Sequence, residues 1–162
     1  AKVWEAFVVG MSASLWGDLP YSESVSDVVT PKLDGQKSIY DAAIALLGDA
    51  NSGAIADLTT GGGYKPPNDH VYAGTNAKWI EAAYTLKARF LLHWAEVNSG
   101  NYALALAAIQ KGISANANNF KTKHTTNESE SNGIYQFWRQ RDSYIRAGKY
   151  MIDLLKIRTD PR

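Results

Sequence analysis

Five stretches of this chain place apolar residues at helical spacing, and long polar connections separate them. A first helix is expected from about Lys2 to Leu15, with Trp4, Phe7, Val8, Met11 and Leu15 on one stripe, before Gly17, Asp18 and Pro20 end it. A second is expected from Gln36 to Asp49, with Ile39, Tyr40, Ala43, Ile44 and Leu47 on its apolar face. Asp34 is placed to cap its start by accepting orphan N–H groups, and Asn51-Ser52-Gly53 to close it.

The third and strongest pattern spans Ala77 to Asn98. Trp79, Ala83, Leu86, Phe90, Trp94 and Val97 form a long stripe, and Ile80, Tyr84, Leu91 and Ala95 widen it, so this helix should be buried on more than one side. A fourth helix is expected from Tyr102 to Ala115 and a last one from Asp142 to Leu155. Gly61-Gly62-Gly63 and Pro66-Pro67 forbid a continuous helix between Thr59 and Gly74, leaving room for short extended pieces around Tyr64 or His70 to Tyr72. Asn116 to Gly133 is polar and rich in helix breakers.

The stretch Asn98 to Phe120 looks like the turn and second helix of a tetratricopeptide repeat. Gly100 and Asn101 make the turn, Tyr102 wedges the helix pair, and Ala105 and Gly112 sit one above the other, where only small side chains let two helices approach. Any antiparallel helical hairpin is the plainer alternative. The long connection between the first two helices breaks a strict period. The expected fold is therefore all-α, a single helical domain over residues 1–162 built of tetratricopeptide-like hairpins with long irregular insertions, and such insertions commonly carry function.

Composition narrows the function classes. At 162 residues, 45% hydrophobic and 20% charged, the chain can bury a core without staples. A net charge of +1 gives no basic footprint for nucleic acid and no polybasic membrane patch. The absence of cysteine excludes disulfides, thiolate metal sites and a cysteine nucleophile. No apolar run approaches the ~20 residues of a membrane-spanning helix, and no leader pattern is read at Ala1.

The remaining chemistry favours binding over catalysis. Sugar capture needs aromatic rings to stack on pyranose faces and planar polar groups for hydroxyls. Irregular segments hold Tyr21, Tyr64, Tyr72, Tyr135 and Trp138, with Asn68, Asp69, His70, Arg139 and Arg141 near some of them. Tyr64, Tyr72, Trp138 and Arg141 are the candidate ligand-binding residues. The competing reading, favoured for Tyr21 and Tyr135, is that such rings pin loops onto helices. Trp4, Trp79 and Trp94 lie on helix stripes and are expected in the core. Glu128 and Glu130 have nothing to desolvate them and read as solvated loop charge rather than a glycosidase pair. Asp69-His70 lacks a nucleophile elbow, and His70, His93 and His124 show no metal spacing. His93, beside Trp94, reads as a hydrogen-bonded packing residue. Gly61-Gly62-Gly63 lacks the Lys-Ser or Lys-Thr of a phosphate cradle. No catalytic residue, metal or cofactor is expected.

Four stretches in order resemble the SusD/RagB family of bacterial outer-membrane nutrient-binding lipoproteins. They are Leu15-Trp16-Gly17-Asp18-Leu19-Pro20-Tyr21-Ser22-Glu23; Thr30-Pro31-Lys32-Leu33-Asp34 leading to Ile39-Tyr40, Leu46-Leu47 and Asp49-Ala50; Tyr72-Ala73-Gly74 to Trp79 with Leu86-Lys87-Ala88-Arg89; and Asn132-Gly133-Ile134-Tyr135 with Asp153-Leu154-Leu155 and Asp160-Pro161-Arg162. The resemblance implies a segment of a longer, non-enzymatic protein that captures oligosaccharide at the cell surface. It also implies a partner, a SusC-like TonB-dependent transporter that receives the glycan, and membrane attachment only through an N-terminal lipid anchor absent from this sequence. The rival expectation is a tetratricopeptide-type scaffold that grips a protein or peptide.

Overall fold

The computed structural model describes residues 1–61, 68–142 and 144–160. Among these residues it contains α1 (Lys2–Trp16), α2 (Gln36–Leu47), α3 (Gly53–Thr59), α4 (Asn76–His93), α5 (Gly100–Ile109), α6 (Gly133–Gln140) and α7 (Lys149–Ile157), and no strand. The fold is all-α, with two helices beyond the five read from the sequence. Its contacts divide it into two compact units, Ala1–Lys121 and Thr122–Arg162.

In the first unit α4 packs against α1, α2, α3 and α5. The core gathers where they meet: Phe90, Ile39, Leu47 and Ile55 are the largest fully buried side chains. Each such burial is worth roughly 1.5–3 kcal/mol over exposure. The expected apolar faces of α2 and α4 are the buried ones, with Ile39, Tyr40, Ala43 and Leu47 on α2 and Ala83, Leu86, Phe90 and Leu91 on α4.

On α1 the expected stripe is not the core face. Val3, Ala6, Val9, Gly10 and Ala13 turn inward, whereas Val8 and Leu15 are exposed and Trp4 is 39% exposed. The cause is proximity. A β-carbon on Gly10 would lie 2.3 Å from Phe90 Cζ, so only small residues fit between α1 and α4.

The same rule governs α5. Asn101, Ala105 and Ala108 are buried, while Leu104, Leu106 and Ile109 face out. Tyr102 is not the wedge; it is half-exposed, with its hydroxyl donating to Glu96 Oε1. Buried Asn101 takes that place, its Nδ2 donating to Leu91 O at 3.3 Å. The helix stops at Ile109 rather than Ala115. Gly112 closes the turn against α4, where Thr85 Oγ1 accepts from Ile113 N at 2.8 Å.

Two other boundaries differ. α2 ends at Gly48, whose φ of 69° and proximity to Ser52 O leave no room for a β-carbon, and Gly53 then opens α3 instead of closing α2. Asp34 does not cap α2; Asp18 Oδ1 does, accepting from Gln36 N at 2.8 Å. Asp34 instead closes a loop, its carboxylate accepting from Tyr21 N, Ser22 N and Ser22 Oγ while its backbone exchanges two hydrogen bonds with Leu19. These bonds, led by the one from Ser22 N, lower its pKa from 3.8. α4 ends at His93, five residues short of Asn98, as Trp94 N and Ala95 N tighten onto the carbonyls of Leu91 and Leu92.

In the second unit Asn132 caps α6, its side-chain oxygen accepting from Ile134 N at 2.9 Å and Tyr135 N at 3.2 Å. The last helix starts at Lys149 rather than Asp142, after Gly148 in an extended conformation. Ile152 and Leu155 are half-buried there, and Met151 is exposed.

Candidate functional site

The Asp69 turn organises the entrance to α4. Asp69 Oδ1 accepts from Val71 N and Tyr72 N, and Oδ2 accepts from Gly74 N and Trp79 Nε1, each at 2.7 Å. Burial raises the carboxyl pKa, but these four bonds outweigh it and leave it below 3.8. Asp69 is thus committed to its own turn, and His70 to Tyr72 form part of that turn rather than an extended piece.

Tyr72, a candidate ligand ring, is 6% exposed. Its hydroxyl donates to Asn118 O at 2.7 Å, and its ring meets Trp79 edge-on at 5.1 Å. Burial, then the charges of Glu81 and Asp69, push its pKa up to about 12. Around this pair Trp4, Phe7 and Phe120 complete an aromatic cluster, with Trp4 and Phe120 centroids 5.1 Å apart. The ring of Tyr72 is enclosed by its neighbours. Tyr64 lies outside the described residues.

Tyr21 is pinned, its hydroxyl donating to Glu5 Oε1 at 2.8 Å. It borders an open groove of about 400 Å³ shared with Lys2, Ala42, Ala45, Leu46 and Gly53. His93 is a packing residue, its Nδ1 lying 3.1 Å from Ser14 Oγ and 3.5 Å from Tyr40 OH at the junction of α1, α2 and α4.

The second unit holds Trp138 and Arg141. Spaced three residues apart on α6, Tyr135 and Trp138 stack with centroids 6.1 Å apart and planes inclined by 24°. Tyr135 is 52% and Trp138 43% exposed. Both rings therefore keep apolar area open to solvent on a helix, the rigid kind of element that a binding platform needs. Arg141 caps this helix and lies over Phe137 and Tyr144, at 5.6 and 6.0 Å from their centroids. Sequence reasoning set Tyr135 aside as a loop-pinning ring. The signal that could have found it is Asn132, whose capping side chain starts a helix and puts residues 135 and 138 on one face.

A family model described as SusD-like, starch-binding associating with outer membrane, matches residues 1–162. No curated protein matches the chain. Among solved structures, a SusD/RagB family protein from Bacteroides thetaiotaomicron is similar with a TM-score of 0.83 and 28% identity, over 99% of this chain and 33% of its own. A chitin-binding protein is similar with a TM-score of 0.74 and 27% identity, over 99% of this chain and 34% of its own. A SusD-like protein from Bacteroides thetaiotaomicron shares the fold, with a TM-score of 0.58 and 23% identity over 69% of this chain and 24% of its own. The chain spans about a third of the length of the first and second of these structures.

Proposed function

Since the chain belongs to the SusD-like family, we propose that it is part of a non-enzymatic protein that captures oligosaccharide at the bacterial cell surface and passes it to a TonB-dependent outer-membrane transporter. The family description supports the glycan and the outer membrane. The chitin-binding relative supports a polysaccharide of linked pyranoses.

The observation that carries the reading to particular residues is the half-exposed Tyr135–Trp138 pair. Pyranose rings present flat C–H faces that stack on such rings, and Arg141 lies at the end of the same helix. Titration of the chain with a panel of plant, microbial and host oligosaccharides, followed by tryptophan fluorescence and calorimetry, tests this. Saturable binding that weakens on Trp138→Ala supports it. A ligand bound with undiminished affinity by that variant moves the site elsewhere.

The scaffold reading keeps one observation in its favour. α5 turns Leu104, Leu106 and Ile109 outward, an apolar face suited to a protein surface. Retention by the chain of a protein or peptide other than the transporter, lost on Leu106→Glu and with no oligosaccharide bound, would favour the scaffold reading for that face.

A further inference from the structure

The charge of this chain is unevenly distributed. Residues 122–162 carry eight Lys and Arg against five Asp and Glu, whereas the preceding 121 residues carry nine against eleven. Much of the excess follows the ring pair along the chain: between positions 139 and 149 lie Arg139, Arg141, Arg146 and Lys149, with Asp142 as the single acid.

Of these cations Lys149 pairs with Asp153. None of the ion pairs among the described residues uses an arginine. Arg141 lies over the rings of Phe137 and Tyr144. Arg139 lies four residues after Tyr135 on α6, on the same side of the helix as the stacked rings, and is exposed. Of the acids in this unit, Glu130 accepts from Thr125 Oγ1 and Asp153 pairs with Lys149.

We propose that the α6 platform takes an acidic glycan, one that carries carboxylate or sulfate, with Arg139 pairing to the anionic group while Tyr135 and Trp138 stack on the sugar ring. This rests on the reading of α6 as a sugar platform and adds the class of sugar. A guanidinium presents a planar fork of N–H donors that matches both anions, and it is less strongly hydrated than an ammonium, so it gives up water for such a partner more readily. A neutral sugar offers that fork only hydroxyl acceptors, whose hydrogen bonds are weaker than those of a carboxylate or sulfate.

Calorimetry of the full chain distinguishes the possibilities, using an oligogalacturonate, its carboxyl-reduced counterpart of equal length, and a sulfated galactan oligosaccharide. The expected result is that at least one acidic ligand binds about tenfold or more tightly than the reduced one, by a margin that shrinks as salt is raised. Arg139→Gln, checked for folding by circular dichroism, should abolish that margin. Equal affinity for neutral and acidic ligands overturns the acidic assignment, and a preference that survives Arg139→Gln overturns the pairing of the anionic group to Arg139; either result leaves the sugar platform standing. Binding of none of the three, with a neutral gluco- or chito-oligosaccharide bound instead, likewise overturns the acidic assignment alone. Failure to bind any oligosaccharide overturns both.

Discussion

The Phe90 ring occupies the space that a side chain at Gly10 would need: a β-carbon there would lie 2.3 Å from Phe90 Cζ and 2.5 Å from Cε1. Gly10→Ala should therefore destabilise the first unit by about 1–3 kcal/mol through overpacking, despite the better helix propensity of alanine. Chemical denaturation reads the change. Adding Phe90→Leu should recover part of it, and a double variant no more stable than the sum of its single changes would show that the two residues do not compete for space.

Asp69→Asn replaces one acceptor oxygen by an NH₂ group that faces donors. Whichever way the amide turns, two of the four N–H groups of Val71, Tyr72, Gly74 and Trp79 lose their acceptor. The expected cost is about 1–2 kcal/mol, allowing for partial solvent access. The wild-type carboxyl is held below 3.8, so its stabilisation is present above that pH and is lost as pH falls through the folded-state pKa. Acid unfolding of the variant should lack this component.

His93 works in the opposite pH direction from a paired histidine. Desolvation, then the positive charge of Arg89, lower its pKa from 6.5. The unfolded chain binds the proton more readily, so the stability tied to neutral His93 is complete above pH 6.5 and declines as pH falls below it. Denaturation midpoints taken on either side of that pH should differ, and His93→Gln should narrow the difference.

Tyr72 and Trp138 should separate stability from binding. Tyr72→Phe removes the hydrogen bond to Asn118 O and should cost about 1 kcal/mol without altering oligosaccharide affinity. Trp138→Ala removes a half-exposed ring and should weaken binding about tenfold, from roughly 1.5 kcal/mol of lost ring contact, with little change in the unfolding midpoint. Equal loss of affinity in both variants would place Tyr72 in the ligand's path.

The residues that made α2 and α4 legible were large: Ile39, Tyr40 and Leu47 on one, Leu86 and Phe90 on the other, all buried at helical spacing. α1 and α5 reversed the rule because they pack by small residues. Gly10, Ala13 and Ala105 carry little hydrophobic signal, and exposed Val8, Leu15, Leu104 and Leu106 carry more. α3 and α6 escaped because each is short and follows a glycine or Asn-Gly that reads as a turn. Of the candidate site, Trp138 and Arg141 were legible as an aromatic and a planar cation in one segment. The enclosure of Tyr72 was not, because it depends on Trp79 and Asn118, and Asn118 lies 46 residues along the chain.

The stem at Asp34 makes the residues it encloses modular. Leu19 and Asp34 lock the two ends together through paired backbone bonds, and the Asp34 carboxylate fastens Tyr21 and Ser22 to the same point. Between them Val25 and Val29 stand almost wholly in water. Once the ends are tied, doubling the enclosed length adds only about 0.6 kcal/mol of closure entropy. The stretch from Glu23 to Leu33 can therefore be lengthened, shortened or exchanged for a foreign peptide while α1 and α2 keep their register, which makes it a natural graft point on this helical frame.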